Sequence, residues 1–309
     1  MTCLEHLENL TLPQGVKQVE ICIGNDNSED DTWEKLIKYC GNNSKYQIFN
    51  ISPSEKSKPA KAGVLALLAK RAKGDYLFFT DADIKTPKNW LWAHLQMHRN
   101  ALRPSIVNGI TYPIGNNWLA NFQTIDWWFA LQALSLLSLL GISPTAMGNN
   151  MSMPKQLYQD IGGYEATPDS IAEDFELSQL HLSKKGKIYQ QSNFKADFAL
   201  TLPEKTWVAL IQQRTRWLKG ALRLSIVWRS MFILSFFIIP LLMIYSPILF
   251  VGYQIIKAFF WLFQFPQSLI NKKLIFCLLV YELYYIFIYG KALANHFLNK
   301  KIVWKGLNY

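Results

Sequence analysis

Two acidic residues have the type and spacing of groups that hold a metal ion. Asp81 and Asp83 stand at i and i+2 directly after the apolar run YLFFT. Two carboxylates in this arrangement can share one hard cation such as Mg²⁺ or Mn²⁺, which keeps its remaining positions for water and substrate phosphates. A cation there would activate a nucleotide diphosphate as a leaving group, although acidic pairs are also common in solvated turns.

A second acidic pair, Glu173-Asp174, precedes the helical pattern FELSQLHLSKKG. A carboxylate near a helix start, within reach of a reacting group, could act as general base on an acceptor hydroxyl. The alternative is that both acids simply complement the positive end of the helix dipole.

A third set lies in the helical stretch TWVALIQQRTRWLKGALRL. Gln213, Arg216 and Trp217 fall on one face because they are spaced i, i+3 and i+4. An arginine can clamp a phosphate with its planar fork, and a tryptophan offers a face on which a sugar ring can stack. The same pattern suits an interfacial amphipathic helix anchored by Trp and Arg, and both interpretations can hold together.

The elements that must position these residues alternate between strand and helix patterns. This alternation predicts an α/β fold with a mostly parallel, Rossmann-like sheet. In such sheets ligands bind beyond the carboxyl ends of the strands, where Asp26 and the Asp81/Asp83 pair fall. The predicted strands are 19–23, 76–80 and 105–108, and the predicted helices are 32–39 and 62–72.

The last third of the chain is basic and apolar. The chain carries a formal net charge of +10, but residues 1–203 hold 19 Lys and Arg against 20 Asp and Glu, whereas 204–309 hold 13 against 2. A charge confined to one apolar region indicates a membrane-flanking tail and excludes a nucleic-acid-binding surface spread over the fold.

Ser230 to Ile256 is an uncharged run of 27 residues, bracketed by Arg229 and Lys257. About 20 apolar residues span a bilayer, so membrane insertion is expected. Two prolines inside the run, Pro240 and Pro247, predict a kinked helix or the start of a hairpin. With the apolar stretches 258–271 and 274–290, two or three membrane segments are expected; three would keep Lys272-Lys273 on the cytoplasmic side.

Two further patterns have structural interpretations. The Trp-rich segment 117–142 is expected to be an amphipathic or interfacial helix resting on a bilayer rather than a third membrane span. Its one charge, Asp126, should have a specific partner, and a role toward a lipid acceptor is considered for it. His94 and His98, at i and i+4 without an intervening Glu, are expected on a surface or packed helix rather than at a metal site.

The order and spacing of these segments resemble the family 2 glycosyltransferases, and most closely the membrane-bound, cellulose-synthase-like bacterial members. The resemblance runs from about residue 3 to 309. It is carried by VEICIGNDNSEDDT, AKAGVLALL, GDYLFFTDADI, GNNMSMPKQLYQDIGGYE, AEDFELSQLHLSKKG, QRTRW and the terminal IVWKGLNY.

The resemblance implies a GT-A-like, Rossmann-like domain and assigns roles by motif. Asp26 would contact the nucleobase and Lys61 the nucleotide. Asp83, assisted by Asp81, would hold Mg²⁺ or Mn²⁺, and Asp174 would be the catalytic base. Arg216 would steady the diphosphate, and the residues implied at the donor-sugar and acceptor site are Asn149, Asn150, Glu173, Gln213 and Trp217.

The resemblance also implies the reaction and its setting. The expected function is inverting transfer of a sugar from a nucleotide-diphosphate donor, in the first instance a UDP-sugar, to a lipid or glycan acceptor. The expected location is the cell (inner) membrane, as a multi-pass protein with a cytoplasmic catalytic domain. The alternative is a catalytically inactive membrane partner of a glycan-synthesis complex.

One departure from the family pattern concerns its first strand, which reads roughly VSVIIPAYNE and cradles the nucleotide. No such segment precedes MTCLEHLENL, so the sequence is expected to be an N-terminally incomplete form. The predicted division is a GT-A domain over 1–222, a membrane domain over 223–292 and a basic tail over 293–309.

Overall fold

The computed structural model describes residues 2–298, 303–304 and 307–308, without the side chains of 231, 232, 235 and the last four. Predicted strands and helices in the first half are present with shifted ends. The elements up to the third strand are α1 (Thr2–Glu8), β1 (Ile21–Asn25), α2 (Thr32–Cys40), β2 (Tyr46–Asn50), α3 (Ala60–Arg71) and β3 (Tyr76–Thr80).

The next elements complete the sheet layer. They are α4 (Trp90–Asn100), β4 (Ile106–Asn108), β5 (Thr111–Pro113), α5 (Trp118–Leu139), β6 (Asn150–Pro154), α6 (Lys155–Ile161), α7 (Glu173–Ser183), β7 (Ile188–Gln190) and β8 (Ala199–Thr201). Three short 3₁₀ turns cover Pro53–Glu55, Tyr164–Ala166 and Gln267–Leu269.

The chain then becomes helical. It forms α8 (Trp207–Ala221), α9 (Ile226–Tyr245), α10 (Pro247–Gln264), α11 (Lys272–Leu279) and α12 (Tyr281–Phe297), followed by the two-residue strands β9 (Val303–Trp304) and β10 (Leu307–Asn308). Residues 299–302, 305, 306 and 309 of the predicted tail, which include half of the IVWKGLNY motif, lie outside the described residues.

The sheet is mixed, whereas the alternation of elements predicted a mostly parallel one. Its four-stranded part has the order β3-β6-β4-β7, with β6 antiparallel to both neighbours and β4 parallel to β7. The antiparallel direction of β6 follows from the position at which α5 ends. Its Ser138 Oγ accepts from the backbone N–H of Gln190, which ends β7 beside the end of β4. A strand that begins at the carboxyl ends of β4 and β7 must run antiparallel to β4.

The parallel pair β1–β2 stands apart from the four-stranded part. Among the described residues, β1 and β3 each lack a hydrogen-bonded partner on their other side, and both line one cleft. The apolar side chains of Ile21, Leu77 and Phe79 are among those that face it.

The two histidines on α4 are packed, as the sequence predicts. His94 Nδ1 and His98 Nε2 both lie 2.8 Å from Ser152 Oγ on β6, and His94 Nε2 lies 3.1 Å from Asn150 Oδ1. Burial lowers the pKa of His94 to about 3 and that of His98 to about 4, so both rings are neutral at pH 7. Their nitrogens are occupied in joining α4 to the sheet.

The Trp-rich helix α5 is central rather than interfacial along its length. It packs against β5 and β7 on one side and against α11 and α12 on the other. Polar residues such as Asn121, Gln123 and Asp126 are buried on it and have protein partners, which is why the segment is not left on a surface. Its last turn exposes Leu136 and Leu139.

One core joins the two predicted domains. The largest apolar cluster contains Tyr112, Ile125 and Leu131 from the first and Trp261 and Ile288 from the second. The long uncharged run divides at Ser246, and Pro247 opens α10, where a proline at the first helical position is well tolerated. The run therefore forms two consecutive helices that contact each other, and Pro240 lies inside the first of them.

Within the described residues, one helix is long and apolar enough to cross a membrane. It is Pro247–Gln264, with a mean hydropathy of 1.3 over its window and 11% of that window buried. The pair α11 and α12 passes the same test only if its two helices, bent by 69°, count as one span. Lys257, predicted to flank the apolar run, instead lies inside α10.

Candidate active site

A cleft of about 2530 Å³ runs along β1 and β3 and extends past their carboxyl ends. It brings together side chains from six regions that are separated in sequence. Ten of the eleven residues singled out in the sequence line it: Asp26, Lys61, Asp81, Asp83, Asn149, Glu173, Asp174, Gln213, Arg216 and Trp217. Asn150 does not line it.

The paired carboxylates follow β3 directly. Asp83 Oδ2 accepts from the Thr201 hydroxyl at 2.9 Å, and Asp81 Oδ1 lies 2.5 Å from Lys61 Nζ. In the described part of the chain, no group of three or more His, Cys, Asp or Glu residues could hold a metal ion. Two oxygen donors nevertheless fit Mg²⁺ or Mn²⁺, which are commonly bound by one or two carboxylates plus substrate phosphates.

Lys61, in the first turn of α3, connects the two acidic pairs. Its ammonium lies 2.5 Å from Asp81 Oδ1 and 2.9 Å from Glu173 Oε1. Burial lowers the pKa of Lys61, but the adjacent carboxylates of Asp81 and Glu173 outweigh it and raise that pKa above its ordinary value. A fixed positive charge therefore stands between the DxD pair and the start of α7.

Asp26 follows β1 at the rim of the cleft and is exposed. Its Oδ1 lies 2.5 Å from Lys56 Nζ, a contact that joins the β1 loop to the segment before α3. Lys56 also lines the cleft, and sequence reasoning missed it. Its only signal is membership of the lysine-rich stretch EKSKPAK, which also contains Lys61.

Asp174 is the second residue of α7, and its carboxylate is held by two backbone donors. The N–H of Gly148 donates to Oδ2 and that of Phe175 to Oδ1, each at 2.8 Å. A Cβ at position 148 would lie 2.8 Å from the Asp174 Cβ, so glycine permits this close approach. Burial, followed by the Glu173 charge, raises the pKa of Asp174 above its ordinary value despite these hydrogen bonds.

The QRTRW helix α8 forms the opposite wall. Burial lowers the pKa of Arg216, while the nearby carboxylates of Asp174, Glu173, Asp81 and Glu204 act to raise it. Trp217 makes an edge contact with Trp127, with ring centroids 5.4 Å apart. Gln213 Nε2 donates to Glu204 Oε1 at 2.8 Å.

The two asparagines before and within β6 point to different places. Asn149 lines the cleft, and its buried Oδ1 has no hydrogen-bond partner among the described residues. Asn150 is buried in the sheet, where Oδ1 accepts from Trp90 Nε1 at 2.8 Å and Nδ2 donates to the Ile110 carbonyl at 3.0 Å. Asn149 stands in the turn before β6, whereas Asn150 is the first residue of the strand.

Other residues of the site carried no recognisable sequence signal. Thr201 and Glu204 reach the cleft from β8 and the loop after it, a segment without a motif.

Asp126 was assigned a possible lipid-acceptor role, but it is 4% exposed and its Oδ2 lies 2.7 Å from Arg214 Nε. That role is wrong, because the carboxylate is enclosed in protein and already paired.

Comparison with known proteins shows the family of the chain. The family model described as glycosyl transferase family 2 matches residues 2–162, and that described as glycosyl transferase family group 2 matches residues 93–294. Among curated proteins, none matches the sequence.

Solved structures resemble the chain at low sequence identity. A mannosyltransferase from Pyrobaculum calidifontis, solved with GDP-Man and Mn²⁺, has a TM-score of 0.60 at 14% identity, over 96% of this chain and 83% of that one. Glucosyl-3-phosphoglycerate synthase from Mycobacterium tuberculosis has a TM-score of 0.43 at 16% identity, over 71% and 75%. Because one family model covers more than half of the sequence and the fold is that of a GT-A enzyme, the chain belongs to glycosyl transferase family 2 and is a glycosyltransferase.

Proposed function

We propose that this glycosyltransferase moves a sugar, with inversion, from a UDP-sugar to a hydroxyl of a lipid or glycan acceptor at a membrane. The observation that carries the proposal is the cleft itself. It places the Asp174 carboxylate, the Arg216 guanidinium and the Asp81/Asp83 pair on the walls of one space. These are the groups needed for a base, an anion clamp and a cation site.

The donor end is the part lined by Asp26, Lys61 and the DxD pair. Asp26 is proposed to contact the nucleobase, and Lys61 and Arg216 to bind the diphosphate. Asp83 and Asp81 would hold Mg²⁺ or Mn²⁺, which when bound neutralises charge on the diphosphate as it departs. Arg216 suits its role because a guanidinium offers several parallel donors to phosphate oxygens.

The acceptor end lies between α7 and α8. Asp174 takes the proton of the acceptor hydroxyl while the oxygen of that hydroxyl forms a bond to the anomeric carbon of the donor sugar. The bond from that carbon to the diphosphate oxygen breaks, and its electron pair leaves with the nucleoside diphosphate. Attack opposite the leaving group inverts the configuration. Trp217, Gln213, Glu173 and the unpartnered Asn149 amide oxygen are proposed to bind the sugar hydroxyls and rings.

The membrane part of the proposal rests on exposed apolar surface. α9 and α10 present many large apolar side chains that no other part of the described protein covers, among them Ile244, Ile248 and Phe263. Patches beyond a few hundred Å² are rare on soluble monomers and mark membrane or partner contacts. A bilayer is an environment that suits these exposed apolar faces, and it would carry the lipid or glycan acceptor to the cleft.

The test of the proposal is Asp174→Asn, assayed with UDP-glucose, UDP-galactose and UDP-N-acetylglucosamine against extracted membrane lipids. Because general-base catalysis contributes about 10²–10⁴-fold, turnover should fall by at least that factor. Binding of UDP with Mn²⁺, measured by calorimetry, should not change, since the amide keeps the shape of the site.

The matched control is Asp169→Asn, which removes an exposed carboxylate on the same segment outside the cleft and should leave turnover intact. Retained turnover in Asp174→Asn would contradict the assigned base. Absence of UDP binding and of donor hydrolysis by the wild-type protein would instead favour an inactive membrane partner.

A further inference from the structure

A buried ion pair lies directly behind the QRTRW wall of the cleft. Arg214 is fully buried, and its Nε lies 2.7 Å from Oδ2 of Asp126, whose side chain is 5% exposed. The two residues are 88 positions apart and join α8 to α5. Neither residue lines the cleft.

Arg214 contacts both acceptor-side residues of the motif. Its Nη1 donates to Gln213 Oε1, and its guanidinium carbon lies 4.1 Å from the centroid of the Trp217 ring. The two side chains that face the acceptor end therefore rest on one planar cation. A guanidinium can stack and donate at once, which an ammonium cannot do.

The orientation of Gln213 follows from this contact. Because Oε1 accepts from Arg214, Nε2 is left to donate to Glu204 Oε1, at 2.8 Å. The amide is thus held in one of its two possible flips, and its remaining hydrogen-bonding capacity is set for a ligand. Trp217 is held from its other side by Trp127, the residue next to Asp126.

Asp126 is in turn held by the last helices. The Tyr281 hydroxyl, on α12, donates to Asp126 Oδ1 at 2.7 Å, so each carboxylate oxygen has a partner. Residues of α5, α8 and α12 therefore meet at the Asp126 carboxylate. The position of this carboxylate determines the orientation of the Arg214 guanidinium plane.

We propose that Arg214, oriented by Asp126, is a positioning residue that fixes Gln213 and Trp217 for acceptor binding; this rests on the proposed function. Arg214→Lys keeps the charge but loses the fork and the stacked plane. Because small misplacements remote from the chemistry can lower rates by about 100-fold, we expect the acceptor KM to rise by up to about that factor. Binding of UDP with Mn²⁺ should match the wild type.

A second variant and a second measurement keep the proposal testable. Asp126→Asn preserves size and the Tyr281 contact but removes the charge, and it should raise the acceptor KM in the same direction. In protein labelled with 5-fluorotryptophan, the ¹⁹F resonance of Trp217, assigned with Trp217→Phe, should shift in both variants. If Arg214→Lys does not fold, Asp126→Asn decides the outcome.

The matched control is Lys257→Met, which breaks another buried ion pair, with Glu282, away from the cleft. It should lose stability yet keep the wild-type acceptor KM and Trp217 resonance. The proposal is overturned if the Arg214 and Asp126 variants leave both quantities unchanged, or if Lys257→Met moves them equally. If no donor and acceptor pair gives turnover, the proposed function fails, whereas the Trp217 resonance still decides the positioning role.

Discussion

At the scale of single residues, the environment of Asp174 determines when it can act as a base. Burial and the neighbouring Glu173 charge raise its pKa above the ordinary value, about 3.9 for aspartate. A base works when ionised, so the rate should fall as pH drops through this raised pKa, at a higher pH than an exposed aspartate would give. The acid limb of kcat/KM against pH measures it.

Glu173→Gln tests the cause of that raised pKa. It removes the adjacent negative charge, so the pKa of Asp174 should fall and the acid limb should move to lower pH. Asp169→Asn, the exposed carboxylate used above, should leave the limb in place. An acid limb that stays fixed or moves to higher pH in Glu173→Gln would exclude Asp174 as the titrating base.

Residue types and spacing locate the acidic groups of the site well, because Asp81 and Asp83 follow a recognisable strand and Asp174 lies at the start of a recognisable helix. They fail where the decisive contact is distant. Helical spacing groups Arg216 with Gln213 and Trp217, but it does not indicate that Arg214 is buried behind that wall. The role of Arg214 becomes visible only with the position of its partner Asp126, 88 residues earlier.

At the scale of elements, α10 and α12 are joined by a charged pair inside apolar surroundings. Lys257 Nζ lies 2.7 Å from Glu282 Oε1 and also donates to the Leu278 carbonyl at 2.7 Å. Gln254 donates to the other Glu282 oxygen at 3.0 Å. Both charged side chains are 2% exposed, so the pair fixes the register of the two helices.

Breaking this pair should destabilise the protein far more than replacing it. Lys257→Met strands a buried carboxylate and should lower the free energy of unfolding by about 3–5 kcal/mol. The double variant Lys257→Met/Glu282→Leu should recover most of that loss, since apolar side chains of similar volume commonly substitute for a buried pair. Denaturant unfolding in detergent micelles measures both. A double variant no more stable than the single one would contradict the expectation.

Element positions follow from sequence more closely than their directions do. The strand predicted over 76–80 is found at Tyr76–Thr80, because an apolar run bounded by turn residues has few alternatives. The direction of β6 was not predictable from the alternation of elements, since it depends on the end of the sheet to which the 22-residue α5 returns the chain. The charge of Lys257 was misleading for a related reason: its partner Glu282 lies 25 residues further on.

At the scale of the whole molecule, the predicted boundary at residue 222 cuts through the largest apolar core. Composition changes there, but packing does not, because α5 is enclosed by α11 and α12. Tyr112, Ile125 and Leu131 are fully buried partly through contact with the last helices. Division by composition and division by packing are therefore different questions in this chain.

A fragment of residues 1–222 should not behave as a stable soluble domain. Without α10 to α12 the core residues of α5 would be exposed, and we expect aggregation on size-exclusion chromatography. The whole chain should stay in the membrane pellet after an alkaline carbonate wash and enter solution with detergent. A monomeric fragment that unfolds cooperatively, or release of the whole chain by carbonate, would contradict these expectations.

The hydrogen bond from Tyr281 to Asp126 joins residues 155 positions apart, and this separation has a consequence for synthesis. At about 5–20 residues per second, a ribosome that has added Asp126 needs roughly 8–30 seconds more to reach Tyr281. The residues proposed to bind the nucleotide up to Asp83 are translated early, whereas the pair that supports Gln213 and Trp217 is complete only after α12 emerges. In the nascent enzyme the proposed acceptor side is therefore completed last, after the apolar helices α9 and α10 have been synthesised.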